Sequence, residues 1–249
     1  MPMHSKTVFV AGAGGAVGRR LCPLLVRDGW RVVGTTRAPR KCAALRTWGV
    51  EPVVVDVFDA AGLLEAMSAR RPSQVIHQLT DLPPGLDPER MAAARLRNAQ
   101  LRDVGTRNLL SAARACGVER VIVQSVAFVY APGVMPYREE APLDTESPDE
   151  GRRITALGVA SLERQVLAAS LTGIVLRYGR LYGPGTGFEA PARGAPLHVD
   201  AAADAARRAL ERGARGVYNV AEEDGAVSCG KARCDLGWTD TFRLETPLS

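Results

Sequence analysis

An α/β chain built on a doubly wound parallel sheet is what the sequence predicts. Two observations carry that reading: a glycine-rich turn joining a short apolar run to an amphipathic stretch near the start, and short apolar runs that keep alternating with helical periods to residue 220. The chain has 249 residues, 46% hydrophobic and 24% charged, enough to bury one good core and a small additional lobe.

The elements follow in order. Val8-Phe9-Val10 reads as a buried strand, and Val17, Leu21, Leu24 and Leu25 recur at helical spacing behind Gly12, Gly15 and Gly18. Missing Cβ atoms have a separate use at each glycine: Gly12 lets the chain reverse, Gly15 lets backbone approach a phosphate, and Gly18 lets helix pack on strand. Strand, turn and helix in that order present backbone N–H groups to a dinucleotide pyrophosphate. A second strand, Arg31–Arg37, ends where an acidic residue grips the ribose hydroxyls of NAD in many such sites. Thr36 and Arg37 stand there instead, with Arg40 and Lys41 close behind, so the reading favours NADP over NAD because a guanidinium pairs with a 2′-phosphate that a carboxylate repels.

Further apolar runs at 53–55 and 75–76 flank a helical segment, Ala60 to Arg70, and a Pro/Gly loop follows at 81–85. A long helical stretch from about Pro88 to Cys116, capped at Gly117, leads to the run 121–123; another, Thr155 to Ser170, leads to 174–176. Val199, Ala202, Ala206 and Leu210 share one helix face ahead of a last strand at 217–220.

Composition narrows the classes of function. The formal charge of +5 comes with only three lysines, Lys6, Lys41 and Lys231, and with arginines scattered along the chain, so a basic nucleic-acid surface is not expected. Five cysteines, an odd number without paired metal-ligand spacing, fit reduced thiols and no metal site. No apolar stretch reaches the ~20 residues that span a bilayer, and Met1–Lys6 lacks the core of a signal peptide. A cytoplasmic protein is expected.

Several segments resemble the extended short-chain dehydrogenase/reductases, also called the NAD-dependent epimerase/dehydratase family: Gly12–Gly18, Val104–Ala113, Val126–Tyr130, Leu176–Gly185 and His198–Asp200. The resemblance covers nearly the whole chain. It implies a single Rossmann-type unit over residues 1–249, with a small, reduced C-terminal substrate lobe made from elements near 180–200 and 221–249. It implies that Ala16 and Val17 join the glycines at the pyrophosphate, that Asp56 and Val57 meet adenine, that Leu79 and Thr80 pass beneath ribose and pyrophosphate, and that Ser125, Tyr178, Gly179 and Arg180 lie by the nicotinamide. For Asp56 a helix N-cap is an equal alternative. A homodimer through the long helices near 101–115 and 156–169 is also implied.

The family's proton relay is missing. Members place a Tyr four residues before a Lys on the helix that begins near Thr155, one face carrying both side chains. Here Thr155 and Val159 occupy those positions, Val126 replaces the usual Ser or Thr, and Arg102 replaces a frequent Asn. Ser125, Tyr130 and His198, with His77, remain as candidate proton-handling groups. The expected activity is NADP-dependent hydride transfer to a small carbonyl or alcohol metabolite without the Tyr/Lys relay. The alternative is a dinucleotide-binding protein without redox turnover, such as a sensor, a scaffold or a redox-inert isomerase or lyase.

Overall fold

A computed structural model describes residues 6–245. Seven strands form one wholly parallel sheet: β1 (Thr7–Ala11), β2 (Arg31–Thr36), β3 (Glu51–Val54), β4 (Gln74–His77), β5 (Arg120–Val126), β6 (Thr172–Tyr178) and β9 (Gly216–Val220), in the order β3-β2-β1-β4-β5-β6-β9. The order reverses between β1 and β4. A crevice therefore opens outside the carboxyl ends of those two strands, where open parallel sheets hold ligands.

The apolar runs are buried on both faces, as the crossovers demand. On β1, Val8 and Val10 face the core layer that includes Leu21 and Leu25 of α1 (Ala16–Arg27) and the alanines of α7 (Val199–Ala209). Phe9 and Ala11 alternate to the other face, where α3 (Ala60–Arg70), α5 (Thr106–Ala115) and α6 (Glu150–Ala168) supply Leu63, Leu109, Leu162 and Val166. A buried ion pair ties α1 to α7: Arg20 Nε lies 2.6 Å from Asp200 Oδ1.

Several details differ from the sequence reading. The helical stretch 88–116 is interrupted: α4 (Pro88–Gln100) and α5 are joined through a π turn over Leu101–Gly105. Helix α6 starts at Glu150, five residues before Thr155, because the Asp149 carboxylate accepts from the Arg152 N–H at 2.6 Å and caps it. Asp59 rather than Asp56 caps α3, accepting from Gly62 N at 2.9 Å; Asp56 Oδ1 instead accepts from Phe58 N at 3.0 Å in a local turn. Past β6, the short strands β7 (Arg180–Tyr182) and β8 (Pro196–His198) pair in parallel, and a helix not foreseen, α8 (Gly230–Leu236), packs beside β9. The remaining helix, α2 (Cys42–Thr47), precedes β3. Among the described residues, no helix is long and apolar enough to cross a membrane.

Candidate functional site

The carboxyl ends of β1, β2 and β4 surround a cavity of about 150 Å³ whose lining includes Gly12, Gly14, Gly15, Thr35, Thr36, Arg37, Lys41, Val57, Gln78, Leu79 and Thr80. The glycines divide their labour as the spacing requires. Gly12 has φ +94°, and a Cβ there meets Gln78 O at 2.7 Å; at Gly18 it collides with Gly12 O. At Gly15, the N-cap of α1, the nearest atom to an added Cβ is Gly12 O at 3.3 Å. No side chain caps the first turn of α1. The positive end of that helix thus faces the cavity, and no lining residue carries a carboxylate.

Gln78 was not anticipated. Its Nε2 donates to the Tyr178 hydroxyl at 3.3 Å, while its Oε1 is buried with no hydrogen-bond partner. Its position directly after β4 at the reversal of strand order is the signal that marks it.

The nucleotide-side residues are brought together unevenly. Thr36, Arg37 and Lys41 reach the cavity, but Arg40 is exposed on the 3₁₀ turn Pro39–Lys41 and does not line it. Arg37 Nη2 also lies 3.4 Å from Asp81 Oδ1, whose other oxygen takes Arg97 at 3.1 Å. Val57 lines the cavity and Asp56 does not.

Ser125, Tyr130 and Tyr178 are held elsewhere. Ser125 is fully buried, and its Oγ donates to Glu163 Oε1 at 2.7 Å. Glu163 takes a bidentate pair from Arg177, at 2.9 and 2.7 Å, and Arg177 Nη1 donates to the Tyr130 hydroxyl at 2.7 Å. Tyr130 in turn donates to Asn219 Oδ1 at 2.6 Å. The three strands β5, β6 and β9 carry Ser125, Arg177 and Asn219 in register, which assembles this chain of bonds inside the sheet. Burial works against the Arg177 charge, yet the bonds and charge of Glu163, with Tyr130, raise its pKa above the ordinary value; burial raises the pKa of Tyr130. Tyr178 is fully buried with its hydroxyl donating to Ala202 O at 3.0 Å, and a Cβ on Gly179 collides with Ala195 O, so both serve packing.

His77 and His198 are neutral structural groups. His198 caps α7, its Nδ1 accepting from Asp200 N at 3.2 Å, and its pKa is lowered by burial and by Arg243. His77 Nδ1 accepts from Leu79 N at 3.2 Å and its Nε2 lies 3.3 Å from Thr106 Oγ1; burial and then Arg102 push its pKa down to about 4. Thr155 donates to Gly151 O at 2.8 Å and Val159 is buried. Arg102, on the π turn, makes no hydrogen bond within the described residues, and burial lowers its pKa to about 10. Among the described residues no group of His, Cys, Asp and Glu is placed to hold a metal ion.

A second cavity, about 380 Å³, opens beyond β5 and β6 and is lined by Phe128, Tyr130, Tyr137, Asp144, Arg152 and Arg180 among others. Arg180 therefore faces this cavity and not the one along the glycine turn.

The profile of the NAD dependent epimerase/dehydratase family matches residues 8–203. The chain belongs to that family. It is 41% identical over 240 residues to the 3-diazoavenalumate denitrifying reductase of Streptomyces sp, an alignment covering 88% of this chain and 77% of that one. Among solved structures, the UDP-glucose 4-epimerase of Thermus thermophilus, in complex with NAD, aligns with a TM-score of 0.76 at 21% identity, covering 96% of this chain and 95% of that chain. The UDP-glucose 4-epimerase of Thermotoga maritima, with UDP-glucose, gives 0.75 at 18% identity, covering 95% and 94%. Membership of the family and the Streptomyces relative make the chain an NAD(P)-dependent enzyme of the oxidoreductase/epimerase type. The residues present fit a nicotinamide dinucleotide: an uncapped helix start, a glycine cradle and two cations all face one cavity.

Proposed function

We propose that the chain is an NADP-preferring reductase whose hydride acceptor needs no proton from the protein. The observation that carries this reading is the fate of the candidate proton-handling groups. Thr155 donates within its own helix, Ser125 and Tyr130 are committed to Glu163 and Asn219, and His77 and His198 each accept a backbone N–H. A carbonyl or alcohol, whose oxygen must gain or lose a proton, suits such a cleft poorly.

An acceptor that carries its own leaving group suits it better. At a diazonium carbon the incoming hydride supplies both electrons of the new C–H bond, the C–N pair leaves with dinitrogen, and the positive charge is discharged without any proton transfer. The Streptomyces relative is named a denitrifying reductase of a diazo compound, which supports that class of substrate here. Bound over the glycine turn, the reduced dinucleotide supplies the hydride. The chain's own part is to fix its phosphates on the first turn of α1 and to pair Arg37 and Lys41 with a 2′-phosphate.

The missing relay also favours a second reading, binding without redox turnover. Mixing the protein with NADPH and an aryl diazonium salt separates the two: the reductase reading expects loss of NADPH absorbance matched by dinitrogen in a mass spectrometer, and saturable binding without either product supports the second.

The reduced substrate lobe is assigned to residues 180–200 and 221–245, and the stretch 246–249 that the sequence reading adds to it lies outside the described residues. A homodimer is part of the proposal, supported by Leu96 on α4 and Leu157 on α6, 58% and 51% exposed on neighbouring helices. Sedimentation giving only monomer at micromolar concentration contradicts it. Cytoplasmic residence accords with five free thiols.

A further inference from the structure

The second cavity is lined by an exposed cation that has no ion pair among the described residues and stacks on an aromatic ring. Of its charged lining groups, Arg152 and Asp144 neutralise each other at 2.5 Å, and Arg152 also donates to Phe128 O at 2.9 Å and Tyr130 O at 2.7 Å. Arg180 remains. Its guanidinium lies 4.7 Å above the Phe128 ring and makes no hydrogen bond or ion pair within the described residues. Stacking fixes the plane of the guanidinium while leaving its N–H edge free, the arrangement that receives a carboxylate through two parallel bonds. Tyr130 and Tyr137, stacked at 5.0 Å with an interplanar angle of 15°, add a second flat surface to the same cavity.

We infer that this cavity is the acceptor's seat and takes a planar aromatic carboxylate, its ring against Phe128 and the tyrosine pair and its carboxylate on Arg180. The assignment rests on the reductase reading and names its substrate class. Charge decides against a nucleoside diphosphate sugar: one free guanidinium matches one carboxylate, whereas a diphosphate brings two negative charges and, among the described residues, no second free cation lines the cavity.

Calorimetric titration with trans-cinnamate, its neutral amide and UDP-glucose, each with and without NADP, tests the inference. Cinnamate is expected to saturate at one molecule per chain and to bind about tenfold more tightly than the amide, the difference a charge-assisted pair makes. Arg180→Met is expected to erase that preference while leaving NADPH affinity unchanged, and Phe128→Leu to weaken acid and amide together. Amide binding equal to acid, a preference that survives in Arg180→Met, or UDP-glucose binding more tightly than cinnamate overturns it. Cinnamate that fails to bind a chain which still binds NADPH overturns this assignment alone. A chain that binds cinnamate through Arg180 and no NADPH keeps the assignment of the cavity and loses the reductase reading.

Discussion

His77 shows how a residue chosen for chemistry can serve the fold instead. It closes β4 with both ring nitrogens engaged, buried to 1% exposure, and it is neutral because a charge there is desolvated and faces Arg102. Its folded pKa of about 4 lies below the unfolded value near 6.5. The unfolded chain therefore binds a proton that the folded chain refuses, so the contribution is complete above pH 6.5 and is lost as pH falls through that window. The loss approaches roughly 3 kcal/mol at pH 4. Urea unfolding of the wild type is expected to weaken more steeply across this range than that of His77→Asn, whose amide oxygen also accepts from Leu79 N; parallel curves contradict the assignment. Glu163 gives a sharper test of burial. Glu163→Gln leaves Arg177 charged without its partner inside the protein, which is expected to cost about 3–5 kcal/mol of stability by chemical denaturation, and adding Arg177→Met should recover much of it.

The first strand, turn and helix form the element in which sequence and geometry agree most closely. Because an added Cβ at Gly15 meets Gly12 O at 3.3 Å, a tight contact that a small shift relieves, but collides with Gly12 O at Gly18, the two alanine substitutions should part company. Gly18→Ala is expected to lose about 2–3 kcal/mol of stability from overpacking. Gly15→Ala should melt within a few degrees of wild type, yet weaken NADPH about tenfold or more because the methyl stands where phosphate approaches. Equal thermal losses in the two variants contradict that division. Elsewhere, legibility followed periodicity. The seven strands of the main sheet and α3 were read correctly because apolar runs and helical spacing there are undiluted, whereas the three-residue strands β7 and β8 are too short to leave such a run. The start of α6 was not, since Asp149 makes its cap after a polar, proline-bearing stretch that hides the helical period. The π turn at Leu101–Gly105 leaves no trace in apolar spacing, as an extra residue in one turn shifts the pattern by less than the scatter of an alanine-rich helix.

At the scale of the whole molecule, the sheet order places the glycine turn, the end of β2 and the end of β4 around one crevice; the first two were visible from spacing, and the third from the family resemblance. What sequence could not give is which hydroxyls and charges face it. Ser125 and Arg177 sit near the ends of β5 and β6, yet the register of those strands turns them toward Glu163, and Tyr130, in the loop after β5, joins them through Arg177. Gln78 went unremarked although it directly follows β4, because its bond to the Tyr178 hydroxyl, 100 residues away, arises only from packing of the sheet. The central claim is that a nicotinamide dinucleotide lies across this crevice with its 2′ substituent on Arg37 and Lys41. Calorimetric titration of the purified chain with NADPH and with NADH measures it directly. One site per chain is predicted, with NADPH bound at least about tenfold more tightly and the preference collapsing in Arg37→Ala/Lys41→Ala. Binding of neither nucleotide, or equal affinity for both, contradicts it.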